Sequence, residues 1–339
     1  MPKNIVIFAD GTGQEGGKGP STNIDKLSKM IENNESRQIP FYDAGLGTGW
    51  RKISGNVGGK GISKNIIQCY TFISEKFEAG DQIYLFGFSR GAATVRSLSS
   101  FIDYFGILPK SRPELIEQAY KIYRIRDESK RKKKADEFIA THHTTWTKIR
   151  FLGCYDTVAA LGIPIKPISV LIDYVPGFKH SFHNFKLSKC VENAHQALAI
   201  DDERKTFHPI LWDPEILPHQ TVKQVWFCGM HTDVGGGYEE QELSDIPLIW
   251  MKSMAVKHGL IIDSKNSVPI HSDVNGLMHN SRGKSWTKLY RKKQRYWDKD
   301  RKEKPIVHDS VLQRKKNVSN SDNPPYNPWI LELEYDVEK

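Results

Sequence analysis

Apolar residues along this chain fall into two patterns that take turns. The first is a short, largely apolar run, unbroken at residues 5–9 and 83–86 and interrupted by polar residues at 148–154 and 222–228, with a briefer one at 39–42. Such runs suit strands buried on both faces of a parallel sheet, because alternation appears only where one face meets water. The second is helical spacing, at residues 24–31, 62–77, 92–102, 115–123, 191–200 and 245–258. Ser21-Thr22-Asn23 caps the first of these. Strands alternating with helices predict a mostly parallel α/β sheet with helices on both faces. A final short strand is expected near residues 329–335.

The long runs stop at turns that carry reactive side chains. Residues 83–86 lead into Gly87-Phe88-Ser89-Arg90-Gly91, and a helical stretch follows. Gly-x-Ser-x-Gly between strand and helix is the nucleophile elbow of α/β-hydrolases. Its glycines leave room for a strained turn that holds the serine hydroxyl above the sheet edge. The N–H of Arg90 and one from Gly11, Thr12 or Gly13, in the turn after the first strand, are the expected oxyanion donors. Asp10 is a candidate supporting residue in that turn; the alternative is a plain turn in which Asp10 bonds its own backbone. The run 148–154 ends at Tyr155-Asp156, and the run 222–228 delivers Gly229-Met230-His231-Thr232-Asp233 before three glycines. Ser89, Asp156 and His231 therefore reach one sheet edge in the order serine, acid, histidine. Asp233 would support the histidine loop. A rival arrangement pairs His308 with Asp233, and spacing does not decide between them.

The remaining composition adds little chemistry. At 339 residues the chain is expected to form a single α/β-hydrolase domain over 1–339. An apolar insertion is expected at about 162–188, either a lid or acyl-chain wall or ordinary core under a loop, and a basic, aromatic C-terminal extension at about 280–339. The four cysteines have neither disulfide nor zinc spacing, so no metal and no cofactor is expected. No run approaches the length of a membrane span, and the first residues lack the layout of a signal peptide. Synthesis in the cytoplasm is expected, with signal-independent export open. The net charge of +9, concentrated at 130–134 and 284–304, suits an anionic surface. Residues 130–134 read as a solvated helix face, and 284–304 as a helix with its aromatics turned inward. A Gly-rich stretch at 55–63 lacks the phosphate-loop pattern and reads as a loop before the helix 62–77.

Six ordered segments together carry a resemblance. They are Phe8-Ala-Asp-Gly-Thr-Gly, Tyr42-Asp-Ala-Gly-Leu-Gly-Thr-Gly, Gly87-Phe-Ser-Arg-Gly-Ala, Gly153-Cys-Tyr-Asp-Thr-Val, Ala197-Leu-Ala-Ile-Asp-Asp-Glu-Arg and Gly229-Met-His-Thr-Asp-Val-Gly-Gly-Gly-Tyr. Over roughly residues 4–250 the chain resembles the α/β-hydrolase domain family containing the first class of type VI secretion lipase effectors. The resemblance implies a phospholipase acting on acyl esters of membrane glycerophospholipids. It also implies Ser89, Asp156 and His231 as the catalytic set, peripheral membrane contact, and an immunity or secretion-machinery partner. Nucleic acid is not expected as a partner. Two alternatives stand beside it: an esterase or thioesterase for soluble substrates, and a non-catalytic module that binds an anionic partner through its basic surface.

Overall fold

The computed structural model describes residues 2–11, 19–45, 57–158, 187–283, 287–298, 300–317 and 325–339, without the side chains of 57–60. Eight strands form one sheet: β1 (Asn4–Ala9), β2 (Gln38–Asp43), β3 (Gln82–Phe88), β4 (Ile149–Tyr155), β5 (Asn193–Ala199), β6 (Thr221–Phe227), β7 (Ile306–His308) and β8 (Asp336–Glu338). Their order is β2-β1-β3-β4-β5-β6-β7-β8, and every neighbouring pair is parallel. All strand ends that carry candidate chemistry therefore share the carboxyl edge. The chain reverses its direction of travel between β1 and β3, where open α/β sheets form their ligand crevice.

Both faces are covered, which explains the unbroken apolar runs. Ile5, Ile7, Ile83 and Leu85 point to one core with α2 (Val57–Lys76), α3 (Arg90–Phe105), α4 (Glu114–Tyr123) and α5 (Glu128–Thr141). Val6, Phe8, Tyr84 and Phe86 point to the other, with α1 (Asn23–Met30) and a helix at Glu242–Lys257. Thr22 caps α1 as expected, accepting from the Asp25 N–H.

Four expectations are corrected. Residues 191–200 were expected to be helical, but Asn193–Ala199 is β5, fully buried between β4 and β6. Ala, Gln and Leu favour helix locally, and two flanking strand partners override that preference. Between Asp156 and His231 the chain thus completes two strands, β5 and β6. The described part of 284–304 is not an α-helix: a short 3-10 turn at Thr287–Leu289 precedes an irregular segment to residue 298. Helix α2 starts at Val57, so part of the stretch expected as a loop is helical. The last strand is Asp336–Glu338, and 3-10 helix occupies Trp329–Glu332. The expected insertion lies outside the described residues up to 186, and so do Thr12, Gly13 and Trp286. Beyond residue 280, β7 and β8 continue the same sheet. Among the described residues no helix is long and apolar enough to cross a membrane.

Candidate active site

Strand β3 ends at Phe88, and Ser89 turns directly into α3 with φ 57° and ψ −118°. That conformation is costly for a side-chain-bearing residue and is held by crowding around it. A Cβ on Gly87 would lie 2.5 Å from the Gly91 carbonyl oxygen, and one on Gly91 only 1.9 Å from the Ala9 oxygen. Both glycines of the elbow are thus sterically required. The Ser89 N–H donates to the Tyr155 carbonyl at 3.0 Å, which ties the elbow to the end of β4 one residue before Asp156. Arg90 is the first residue of α3, where a backbone N–H has no acceptor within the helix.

Asp156 is the second non-glycine residue at positive φ among the described residues, 42°, and its side chain is fully buried. Its Oδ2 lies 2.5 Å from His231 Nδ1. The Ala199 N–H donates to Oδ1 at 3.1 Å. Arg295 completes the shell with a two-pronged ion pair, Nη1 to Oδ1 at 2.6 Å and Nη2 to Oδ2 at 2.7 Å. The same guanidinium donates to the carbonyls of Ala199 and Phe207, each at 2.6 Å. Burial alone would push the Asp156 carboxyl up; the pairing with Arg295 and His231 outweighs it and holds the group ionised, well below the usual carboxylate range.

His231 opens a short helix, α6 (His231–Gly235), four residues beyond the end of β6. Several contacts fix it there. Asp233 Oδ2 accepts from the Met230 N–H at 3.0 Å, and Asp202 Oδ2 accepts from the His231 N–H at 3.3 Å. Gly229 has φ 95°, and Gly235 lets α6 lie against Phe88, whose ring a Cβ there would meet at 2.0 Å. The imidazole packs against Phe88 and Phe207, with ring centroids 4.7 and 5.2 Å away. Burial holds it below the ordinary histidine value, opposed by Asp156, so the ring rests neutral at pH 7 with Nδ1 facing the carboxylate. Among the described residues no hydrogen bond joins Ser89 Oγ to His231. Phe88 nevertheless brings the elbow against the imidazole.

The other sequence candidates fall into place around this centre. Asp10 holds three groups: its Oδ1 accepts from the Gly11 N–H at 2.6 Å, and its Oδ2 from Thr22 Oγ1 and the Tyr42 hydroxyl, both at 2.6 Å. Burial pushes its carboxyl upward. Gly11 packs beside the nucleophile, since a Cβ there would sit 3.7 Å from Ser89 Cβ. Its N–H is directed at Asp10, however, which corrects its expected use as an oxyanion donor in this arrangement. His308 is set apart from Asp233: it caps the helix Asp309–Lys316, bonds Ser310 Oγ at 2.9 Å and stacks on Phe227. Asp233 pairs instead with His279 Nδ1 at 2.6 Å. Among the described residues no cluster could hold a metal ion.

Arg295, Asp202 and Arg204 were missed from sequence. Arg204 forks onto Asp202, with Nη2–Oδ2 at 2.6 Å, and covers the Phe207 ring at 3.6 Å. Asp202 and Arg204 stand inside a recognisable segment, Asp201-Asp202-Glu203-Arg204, which could have flagged them. Arg295 stands in Lys292-Lys-Gln-Arg-Tyr-Trp, where neighbouring basic residues conceal it.

The chain is similar to several known proteins. The family model for the catalytic domain of Tle1-like phospholipase effectors of the type VI secretion system matches residues 3–254. The uncharacterized protein YEL023C of Saccharomyces cerevisiae is 30% identical over 257 residues, 68% of this chain and 36% of its own length. This chain thus spans about a third of that curated relative. The crystal structure of an uncharacterized protein from Pseudomonas aeruginosa shares the fold at a TM-score of 0.50 and 17% identity, over 79% of this chain and 48% of that one. The Tle1 effector solved bound to the VgrG spike of the type 6 secretion system is 18% identical, with a TM-score of 0.37, over 71% of this chain and 52% of that one. By the extent of the family match, the chain belongs to the Tle1-like family of type VI secretion phospholipase effector catalytic domains.

Proposed function

We propose that the protein is a serine ester hydrolase that cleaves acyl esters of glycerophospholipids. Ser89 Oγ attacks the acyl carbonyl carbon while His231 Nε2 takes its proton, and the ester alcohol leaves with that proton. Water then attacks the acyl-enzyme by the same route in reverse roles, releasing the fatty acid. Asp156 fixes the tautomer with the proton on Nδ1 and stabilises the imidazolium that forms. The Arg90 N–H stabilises the oxyanion, a contribution of about 3 kcal/mol for such a donor. The Ser89–His231 contact closes when substrate binds, as is common for catalytic hydrogen bonds.

The observation that carries this reading is the buried 2.5 Å His231–Asp156 bond on the sheet edge that presents Ser89 at φ 57°. Family membership supports a lipid substrate, export and a secretion-machinery partner. Purified wild type should release fatty acid from phospholipid vesicles, and Ser89→Ala should not, with unchanged circular dichroism. Equal turnover by both proteins would reject the mechanism. Hydrolysis of short soluble esters alone, with vesicles untouched, would keep the serine chemistry and reject the phospholipid substrate.

A further inference from the structure

Three arginines surround the reaction centre, and two of them have carboxylates. Arg295 holds Asp156, and Arg204 holds Asp202. Arg90, next to the nucleophile, has neither an ion pair nor a side-chain hydrogen bond among the described residues. It is partly buried, and the neighbour that acts on its charge is the phenol of Tyr290. Burial pushes the guanidinium down to about 10. Tyr290 in turn packs edge-on to Phe207 at 5.7 Å, and Phe207 packs on His231. Arg90 itself follows Ser89 directly, as the first residue of α3.

A desolvated cation without a counter-charge is unfavourable, and such groups gather where a ligand supplies the missing charge. A guanidinium presents a planar fork that matches two phosphate oxygens, whereas a neutral ester offers it little. In a glycerophospholipid only a short glycerol backbone separates the scissile carbonyl from the phosphorus. A carbonyl at Ser89 thus brings the phosphodiester within reach of the adjacent side chain.

We propose that the Arg90 side chain is the binding site for the substrate's phosphate anion, and that it selects phosphate-bearing acyl esters over neutral ones. The proposal rests on Ser89 being the nucleophile. Its backbone N–H and its guanidinium then serve two parts of one substrate, the oxyanion and the phosphate.

The test compares short-chain phosphatidylcholine with diacylglycerol of the same chain length, both below their aggregation limits. In Arg90→Gln, kcat/KM for the phospholipid should fall on the order of 10- to 100-fold further than for diacylglycerol. Arg90→Lys should recover part of that difference. Equal losses on both substrates would overturn the proposal. Calorimetry on Ser89→Ala separates the anion site from catalysis. Short-chain phosphatidylcholine should bind, and Ser89→Ala/Arg90→Gln should lose that binding. Inorganic phosphate and glycerol 3-phosphate serve as parallel probes. Arg90-dependent binding of either one as tight as the lipid would assign the site to free phosphate; much weaker binding assigns it to the lipid headgroup. Should wild type hydrolyse neither ester while Arg90-dependent binding persists, the hydrolase reading fails and the anion site stands. Absence of Arg90-dependent binding to all three probes would overturn the site.

Discussion

Replacing Arg295 with Met tests how the catalytic acid is held. The side chain is fully buried, and both of its terminal nitrogens reach the Asp156 carboxylate. Methionine keeps the apolar stem and removes the charge. The Asp156 carboxylate would then retain only His231 Nδ1 and the Ala199 N–H. Breaking one side of a buried pair costs about 3–5 kcal/mol, because the other charge is left uncompensated. The second consequence is electrostatic. Guanidinium and imidazole share one carboxylate, so the Arg295 charge disfavours a cation on His231. Losing that charge should raise the His231 pKa. Since His231 must be neutral to act as base, the acid limb of kcat/KM should move to higher pH. Urea unfolding measures the first effect, and the pH profile on a soluble ester measures the second. Arg295→Met/Asp156→Asn should regain part of the stability without regaining activity. A stability loss under about 1 kcal/mol with an unmoved acid limb would refute the reasoning.

Gly91→Ala should destabilise by about 3 kcal/mol, since the new methyl meets the Ala9 carbonyl oxygen at 1.9 Å and backbone cannot yield cheaply; urea midpoints of the two proteins check this. Asp202→Asn should lower kcat while KM stays within about two-fold, because it weakens the Arg204 fork and the bond to the His231 N–H without removing a substrate contact; steady-state kinetics decide. His279 is raised above its ordinary value by its hydrogen bond to Asp233. Its contribution to stability is therefore fully present below pH 6.5 and is lost as pH rises through the raised value. The stability difference between wild type and His279→Gln, followed by denaturation at several pH values, should shrink over that window.

The sheet was legible because each strand buried on both faces writes an unbroken apolar run, as in Ile5-Val6-Ile7-Phe8. Strand β5 was not, because Asn193-Ala-His-Gln-Ala-Leu-Ala mixes small and polar residues whose burial depends on distant partners. Gln196, for example, is satisfied by Ile210 and Gln224. At the site, Ser89, Asp156 and His231 were visible because glycines and strand ends frame them locally. Arg295 was invisible for the opposite reason. Its role is set by the path of the 287–298 segment beneath the carboxylate, and no local pattern marks a basic residue that turns inward. It also lies beyond residues 3–254 that match the family model.

Fluorophosphonate labelling read by intact mass shows directly whether Ser89 is an activated nucleophile. Wild type should take up one adduct at pH 8. Ser89→Ala should take up none, and His231→Ala should react far more slowly. Absence of an adduct on wild type, or an adduct that persists in Ser89→Ala, would contradict the account.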